Sequence, residues 1–229
     1  MQTKSFMETY FDLSKLDGEK FLTAFKETFY VTAISMIFII ILGLLLGLLL
    51  FEFSKKEGKV ANILYTVLSI ISNIFRSIPF IILIILLIPF TRAILGTFLG
   101  AKAAIPALVI SATPFYARLV EMAFREVDSG VLEASEAMGA TKWQMIRKVL
   151  LPESLPALIS GGTVTTITMI GFAAMAGAVG GGGLGQLAYY QGYMQDDLTT
   201  TLFATACILI LVFLIQFIGD TLVKRIDKR

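Results

Sequence analysis

Long apolar runs broken by short charged intervals set the pattern of this chain. From about Phe29 to Phe53 it is uncharged until Glu52, and a helix of that length crosses a hydrocarbon core of about 30 Å. Glu52–Lys59, EFSKKEGK, reads as a charged loop. Val60–Phe90 is apolar apart from Arg76 and exceeds what one crossing requires. It reads either as one helix kinked at Arg76-Ser77-Ile78-Pro79 or as a hairpin of two short spans. A third run, Ala103 to about Phe124, contains Pro106 and Pro114 and leads into Arg118, Glu121, Arg125 and Glu126. Membrane helices tolerate proline where neighbours satisfy the freed carbonyls, so this helix is expected to bend and to face protein. Leu155–Ala178 is a fourth run, dense in glycine, alanine, serine and threonine. Such a helix packs closely or lines a polar path. Leu198–Gly219 is the last.

Charge chooses between the kinked helix and the hairpin. With one helix at 60–90, the intervals Glu52–Lys59, Arg118–Pro152 and the basic C-terminus fall on one side, and they hold most of the lysines and arginines. A hairpin would put the central basic interval opposite the other two, against the positive-inside rule. Five spans follow, with the N-terminus external and the C-terminus cytoplasmic. Pro89–Lys102 and Val179–Asp197 become external loops. Gly43 and Gly47 in the first span form a GxxxG, which favours close helix approach.

Composition agrees with a membrane residence. The 229 residues are 56% hydrophobic and 16% charged, against about 25% charged in soluble domains. Net charge is +2, giving no footprint for nucleic acid. One cysteine, Cys207, allows no internal disulfide or thiol cluster, and the chain has no histidine. Residues 1–26 are polar and amphipathic, with Phe6, Tyr10, Phe11, Leu13, Phe21, Leu22 and Phe25 suited to an interfacial helix or mobile arm. No cleaved signal peptide is expected, because no short apolar core with a small-residue cleavage site opens the chain.

The longest charged interval, Asp128–Pro156, predicts two short helices joined at Gly139. Asp128 suits an N-cap and Glu133 the opening turn. Gly139 suits a left-handed helix end. Thr141-x-x-Gln144 fits a capping box. Arg147 and Lys148 suit a last turn, and Pro152 is expected to stop the second helix. The pair reads as a surface presented for docking or as a polar loop.

Several chemistries are missing. The Gly180–Gly185 cluster lacks the lysine and hydroxyl of a phosphate loop, and Gly58-Lys59 fails the same pattern. No acidic residue sits near the centre of a span, as a proton- or sodium-driven carrier would need. Arg76 is a lone charge in an apolar run. It is expected to donate to carbonyls freed by Pro79, to snorkel to the interface, or to serve the pathway.

Glu133-Ala134-Ser135, then Gly139, then Val149-Leu150-Leu151-Pro152 closely resembles the EAA signature of binding-protein-dependent ABC importer permeases, with Ser135 for the second alanine and Val149 for isoleucine. Asn73 to Phe80, Ile88 to Arg92, Gly177 to Gln186 and Leu214 to Asp220 are similar to the methionine-uptake subfamily. The resemblance implies an all-α polytopic fold, a type I ABC importer permease core with five transmembrane helices and a cytoplasmic coupling helix. Residues 27–229 would form this permease domain, with the coupling region at 128–152 and residues 1–26 as an external arm.

The resemblance also implies partners and roles. Glu133, Ala134, Ser135, Ala137, Met138, Gly139, Ala140, Leu151 and Pro152 would dock on a separate ATPase that carries ATP and Mg. This chain itself would be no enzyme and would bind no cofactor. A second copy of the chain, two ATPase subunits, an external solute-binding protein and membrane lipid are the expected partners, in a prokaryotic inner or plasma membrane. Met175, with Thr168 and Phe172, is the expected pathway or gate, since one large adaptable side chain among small ones can plug a two-fold axis. The solute would be methionine, in D- or L-form. Another amino acid, a short peptide, or a non-transporting membrane scaffold are the alternatives.

Overall fold

The computed structural model describes residues 9–227, and among these the chain is helical with no strand. After a short turn at Leu13–Lys15, α1 runs over Gly18–Lys55. Asp17 caps its start: Oδ1 accepts the amides of Glu19 at 3.1 Å and Lys20 at 3.2 Å. The Lys20 amide, more than its ammonium group, holds the Asp17 carboxyl below the usual range. Helix α1 therefore begins inside the stretch read as an arm. Phe6 lies outside the described residues.

Helix α2, Lys59–Ser77, is followed by α3, Phe80–Leu86, and α4, Ile88–Leu95. The expected kinked helix over Val60–Phe90 is instead broken. Pro79 sits at φ −55°, ψ 132°, and a proline drives the residue before it out of the helical region. The Ser77 hydroxyl donates to the Asn73 carbonyl at 2.8 Å at this end. Pro89 opens α4, where its missing N–H is not needed. The expected loop at Pro89–Lys102 thus shrinks to the residues after Gly96, which ends α4 in the left-handed conformation at φ 73°.

Helix α5, Ala101–Arg125, carries both prolines without interruption. It faces protein, as expected: Ala103, Ala104, Ala107, Leu108, Val120 and Phe124 are buried. Helices α6, Ser129–Ala137, and α7, Lys142–Met145, form the pair foreseen around Gly139. Pro152, however, does not stop the second helix. A π turn at Ile146–Leu150 leads directly into α8, Leu151–Ala178, and the Leu151 amide donates five residues back to Ile146. This wide turn loosens the ladder just before a residue that has no amide and would crowd the carbonyl behind it.

The expected glycine-rich loop after Ala178 is also largely helical. It holds α9, Gly183–Leu187, and a π turn over Ala188–Met194 before α10, Leu198–Ile226. Gly183, Leu184, Gly185 and Leu187 are buried. Among the described residues, five helices have the length and apolarity to cross a membrane: Gly18–Lys55, Lys59–Ser77, Ala101–Arg125, Lys142–Ala178 and Leu198–Ile226.

The chain divides into two compact units. One gathers the residues up to Ile37, Ile78–Ser111 and Thr166–Ile215. Its apolar centre packs Phe21, Phe25, Cys207 and Ile208 around Ala24, Leu184 and Leu187. The other gathers Phe38–Ser77, Ala112–Thr165 and the residues from Gln216. In it Phe51 meets Phe124 edge to face, with ring centres 5.5 Å apart. The GxxxG is a true close approach in this unit. A Cβ at Gly43 would lie 2.6 Å from the Tyr116 ring, and one at Gly47 2.6 Å from Val120.

Candidate functional site

The helix pair at α6 and α7 is built by its caps. Asp128 Oδ1 accepts the Gly130 amide at 2.6 Å. Thr141 and Gln144 complete a reciprocal capping box: the Gln144 amide donates to Thr141 Oγ1 at 3.3 Å, and the Thr141 amide to Gln144 Oε1 at 2.9 Å. Gly139 turns the chain at φ 80°, and the Ala140 amide donates back to Ser135 at 3.1 Å. Leu132 and Leu150 are buried and hold the pair to its unit.

The expected docking residues divide by exposure. Glu133, Ala134, Ala137, Met138 and Gly139 are exposed, Ala140 is half-buried and Ser135 is buried. Leu151 is half-buried and Pro152 exposed, at the start of α8 rather than at a helix end. Met138 is 83% exposed and Trp143 67%. Both are large apolar side chains in a charged segment outside the apolar spans, where exposure of this size is uncommon. Trp143 was missed in the sequence; it is the chain's one tryptophan, and it sits in a charged segment.

Thr168, Phe172 and Met175 share one face of α8, at spacings of four and three residues. Phe172 stacks on Phe80, centres 4.8 Å apart and planes 4° from parallel. Met175 is exposed. A Cβ built at Gly171, between them, meets nothing within 4 Å. Gly171 and Met175 are left open by the rest of the unit, while Phe172 is covered by Phe80.

Two polar clusters lie outside the expected set. In the first, Glu27 Oε2 accepts the Gly183 amide at 2.7 Å and Thr28 Oγ1 accepts the Leu184 amide at 2.9 Å. Gln186 Oε1 takes the Gly182 amide at 2.8 Å. These bonds fix the glycine turn before α9 against α1, beside a cleft of about 990 Å³ that also meets Asp17, Lys20 and Tyr190. In the second, Glu121 is fully buried. Arg118 Nη1 donates to it at 2.6 Å, Arg125 Nη2 at 2.7 Å and Tyr65 OH at 3.2 Å. The acid joins α2 to α5. The Arg-x-x-Glu-x-x-x-Arg spacing, which puts both arginines beside the acid on one helix face, was its legible signal.

Arg76 does not make the expected contact with the carbonyls freed by Pro79. It donates to no carbonyl and forms no ion pair among the described residues; its guanidinium lies 5.9 Å from the Phe115 ring centre.

Residues 39–229 match the family described as the binding-protein-dependent transport system inner membrane component. The chain belongs to that family. It is a multi-pass permease subunit, a transport component rather than an enzyme. It is 57% identical to the methionine import system permease protein MetP of Bacillus subtilis over 79% of this chain and 82% of that protein. It is 46% identical to the probable D-methionine transport system permease protein MetI of Vibrio cholerae over 93% of this chain and 95% of that one. Among solved structures, the permease resembles a chain of the MetNI methionine ABC transporter in an inward-facing conformation. The TM-score is 0.88 at 46% identity, covering 93% of this chain and all of that one.

Proposed function

We propose that this permease forms the membrane pathway of an ATP-driven methionine importer and receives the work of ATP through α6 and α7. The carrying observation is the capped helix pair with Met138 and Trp143 exposed on it. Two copies of the chain enclose the pathway. A separate ATPase subunit docks on each pair through Glu133 to Ala140, and a solute-binding protein delivers methionine from outside. The names of the 57% and 46% identical relatives support the solute. The basic character of Glu52–Lys59, Arg118–Pro152 and the C-terminus supports an external N-terminus and a cytoplasmic C-terminus.

The mechanism follows from continuity. One helix runs from Lys142 to Ala178, with the docking pair at its start and Met175 near its other end. ATP binds the closed ATPase pair more tightly than the open one, and that difference supplies the work. Movement of the docked pair is carried along this helix, and the π turn at Ile146–Leu150 is where it bends. Met175 closes the pathway on the two-fold axis.

The test is uptake of labelled methionine into proteoliposomes that hold the permease, its ATPase and its binding protein. ATP-dependent accumulation is expected. Accumulation of a different amino acid or a peptide, with none of methionine, would replace the solute. No uptake of any solute despite intact assembly would leave the scaffold reading.

A further inference from the structure

Helix α2 carries a polar stripe. Tyr65, Ser69, Ser72, Asn73 and Arg76 recur at intervals of three and four residues, so they share one helix face. Ile63, Val67, Ile70 and Ile74 are exposed on the remainder. With Arg118 of α5, the stripe lines a cleft of about 250 Å³. Helical side chains lean toward the N-terminus of their helix, which carries Arg76 over Ser72 and Asn73.

Tyr65 and Arg118 are tied to Glu121, but not every polar group of this cleft has a partner. Ser72 is 6% exposed. The Ser69 hydroxyl is buried and unbonded. Charge is out of balance as well. Arg118 and Arg125 share the single carboxylate of Glu121, and Arg76 faces only an aromatic ring. Three guanidinium groups against one carboxylate leave an excess of two positive charges in membrane helices, where charges are paired or functional.

We propose that this cleft is a site for one oxyanion, and that the oxyanion is the α-carboxylate of the passing solute. Arg76 receives it in the forked geometry a guanidinium offers a carboxylate. Ser72, Ser69 and Asn73 supply further hydrogen bonds, and Arg118, held by Glu121, is the fixed second charge. The choice of carboxylate rests on the amino-acid reading above; a phosphate of an anionic lipid offers the same chemistry.

The test uses Ser72→Cys in a Cys207→Ser background, which removes the one native cysteine. The permease–ATPase complex is held in zwitterionic nanodiscs. Modification of the introduced thiol by an anionic sulfonate thiosulfonate reagent and by its trimethylammonium counterpart is followed by the mass of this chain. The anionic-to-cationic rate ratio, relative to that of free cysteine, is expected to rise about tenfold, to fall within about twofold of unity with Arg76→Gln, and to survive Arg76→Lys. Methionine slows the anionic reaction, and methioninamide, which has no carboxylate, does not. Protection by added phosphatidylglycerol but not by methionine would overturn the solute assignment in favour of lipid. A thiol without charge preference, or reached by neither reagent, would overturn the site. Methionine uptake by the permease with Ser72 unchanged is measured alongside: uptake there without carboxylate protection of the reporter thiol refutes this site alone, whereas absent uptake there refutes the methionine reading.

Discussion

Glu27 accepts the backbone amide of Gly183 at 2.7 Å across 156 residues of sequence. Gly183 sits at φ 73°, and a Cβ there would press on the Thr28 hydroxyl. The carboxylate thus holds a turn that only glycine fits. Glu27→Ala leaves a partly buried amide unpaired and is expected to cost about 1–3 kcal/mol. Glu27→Gln, which keeps an acceptor oxygen, costs less. Thermal unfolding of the purified permease measures both, and equal stabilities would remove the clamp.

The glycines of this region differ in what surrounds them. A Cβ at Gly185 would overlap the backbone of Ala174, and one at Gly177 the backbone of Gly185 and Gln186. Gly185→Ala and Gly177→Ala are each expected to cost about 1–3 kcal/mol through overpacking, or to prevent folding. Gly171→Ala meets open space, and its product is expected to fold like the parent. The same unfolding measurement separates them.

Glu121 predicts a graded response. Breaking a fully buried ion pair costs about 3–5 kcal/mol. Arg118 and Arg125 are about half exposed here, so Glu121→Gln falls below that range. Tyr65→Phe removes one donor and is expected to cost about 1 kcal/mol. Because both changes act on one network, the double variant loses less than the sum. Additive losses in a double-mutant cycle would contradict the shared network.

The sequence made some of this plain and hid the rest for physical reasons. The five spans were legible because each carries a long apolar window. The caps of α6 and α7 were legible because Asp128, Gly139, Thr141 and Gln144 act on their immediate neighbours. The end of α2 at Ser77 was read as a kink, since proline in a membrane helix permits either outcome. Pro152 was read as a stop because a π turn has no local signature that separates it from a helix end. The Glu27 clamp was hidden, because its partner is set by the fold and not by spacing. The exposed Met138 was named among the docking residues, but that it and Trp143 are left uncovered together emerged only from packing.

Met175 is expected to act as the closing side chain of the pathway. Met175→Ala should raise passive methionine efflux from loaded proteoliposomes without lowering the yield of assembled complex, while Met175→Leu, of similar volume, stays near the parent. Unchanged efflux in Met175→Ala would exclude it as the gate.

The central claim is that α6 and α7 receive the ATPase, and Met138 tests it most directly. Its side chain is 83% exposed, so Met138→Asp leaves the fold intact and puts a charge on the docking surface. Gly139→Trp, which strains the left-handed turn at φ 80°, is its companion. The measurement is the amount of ATPase that co-purifies with membrane-inserted permease, together with ATP-driven methionine uptake. The account predicts normal insertion with loss of both ATPase and uptake in each variant. Full ATPase recovery and full uptake in Met138→Asp and Gly139→Trp would contradict it.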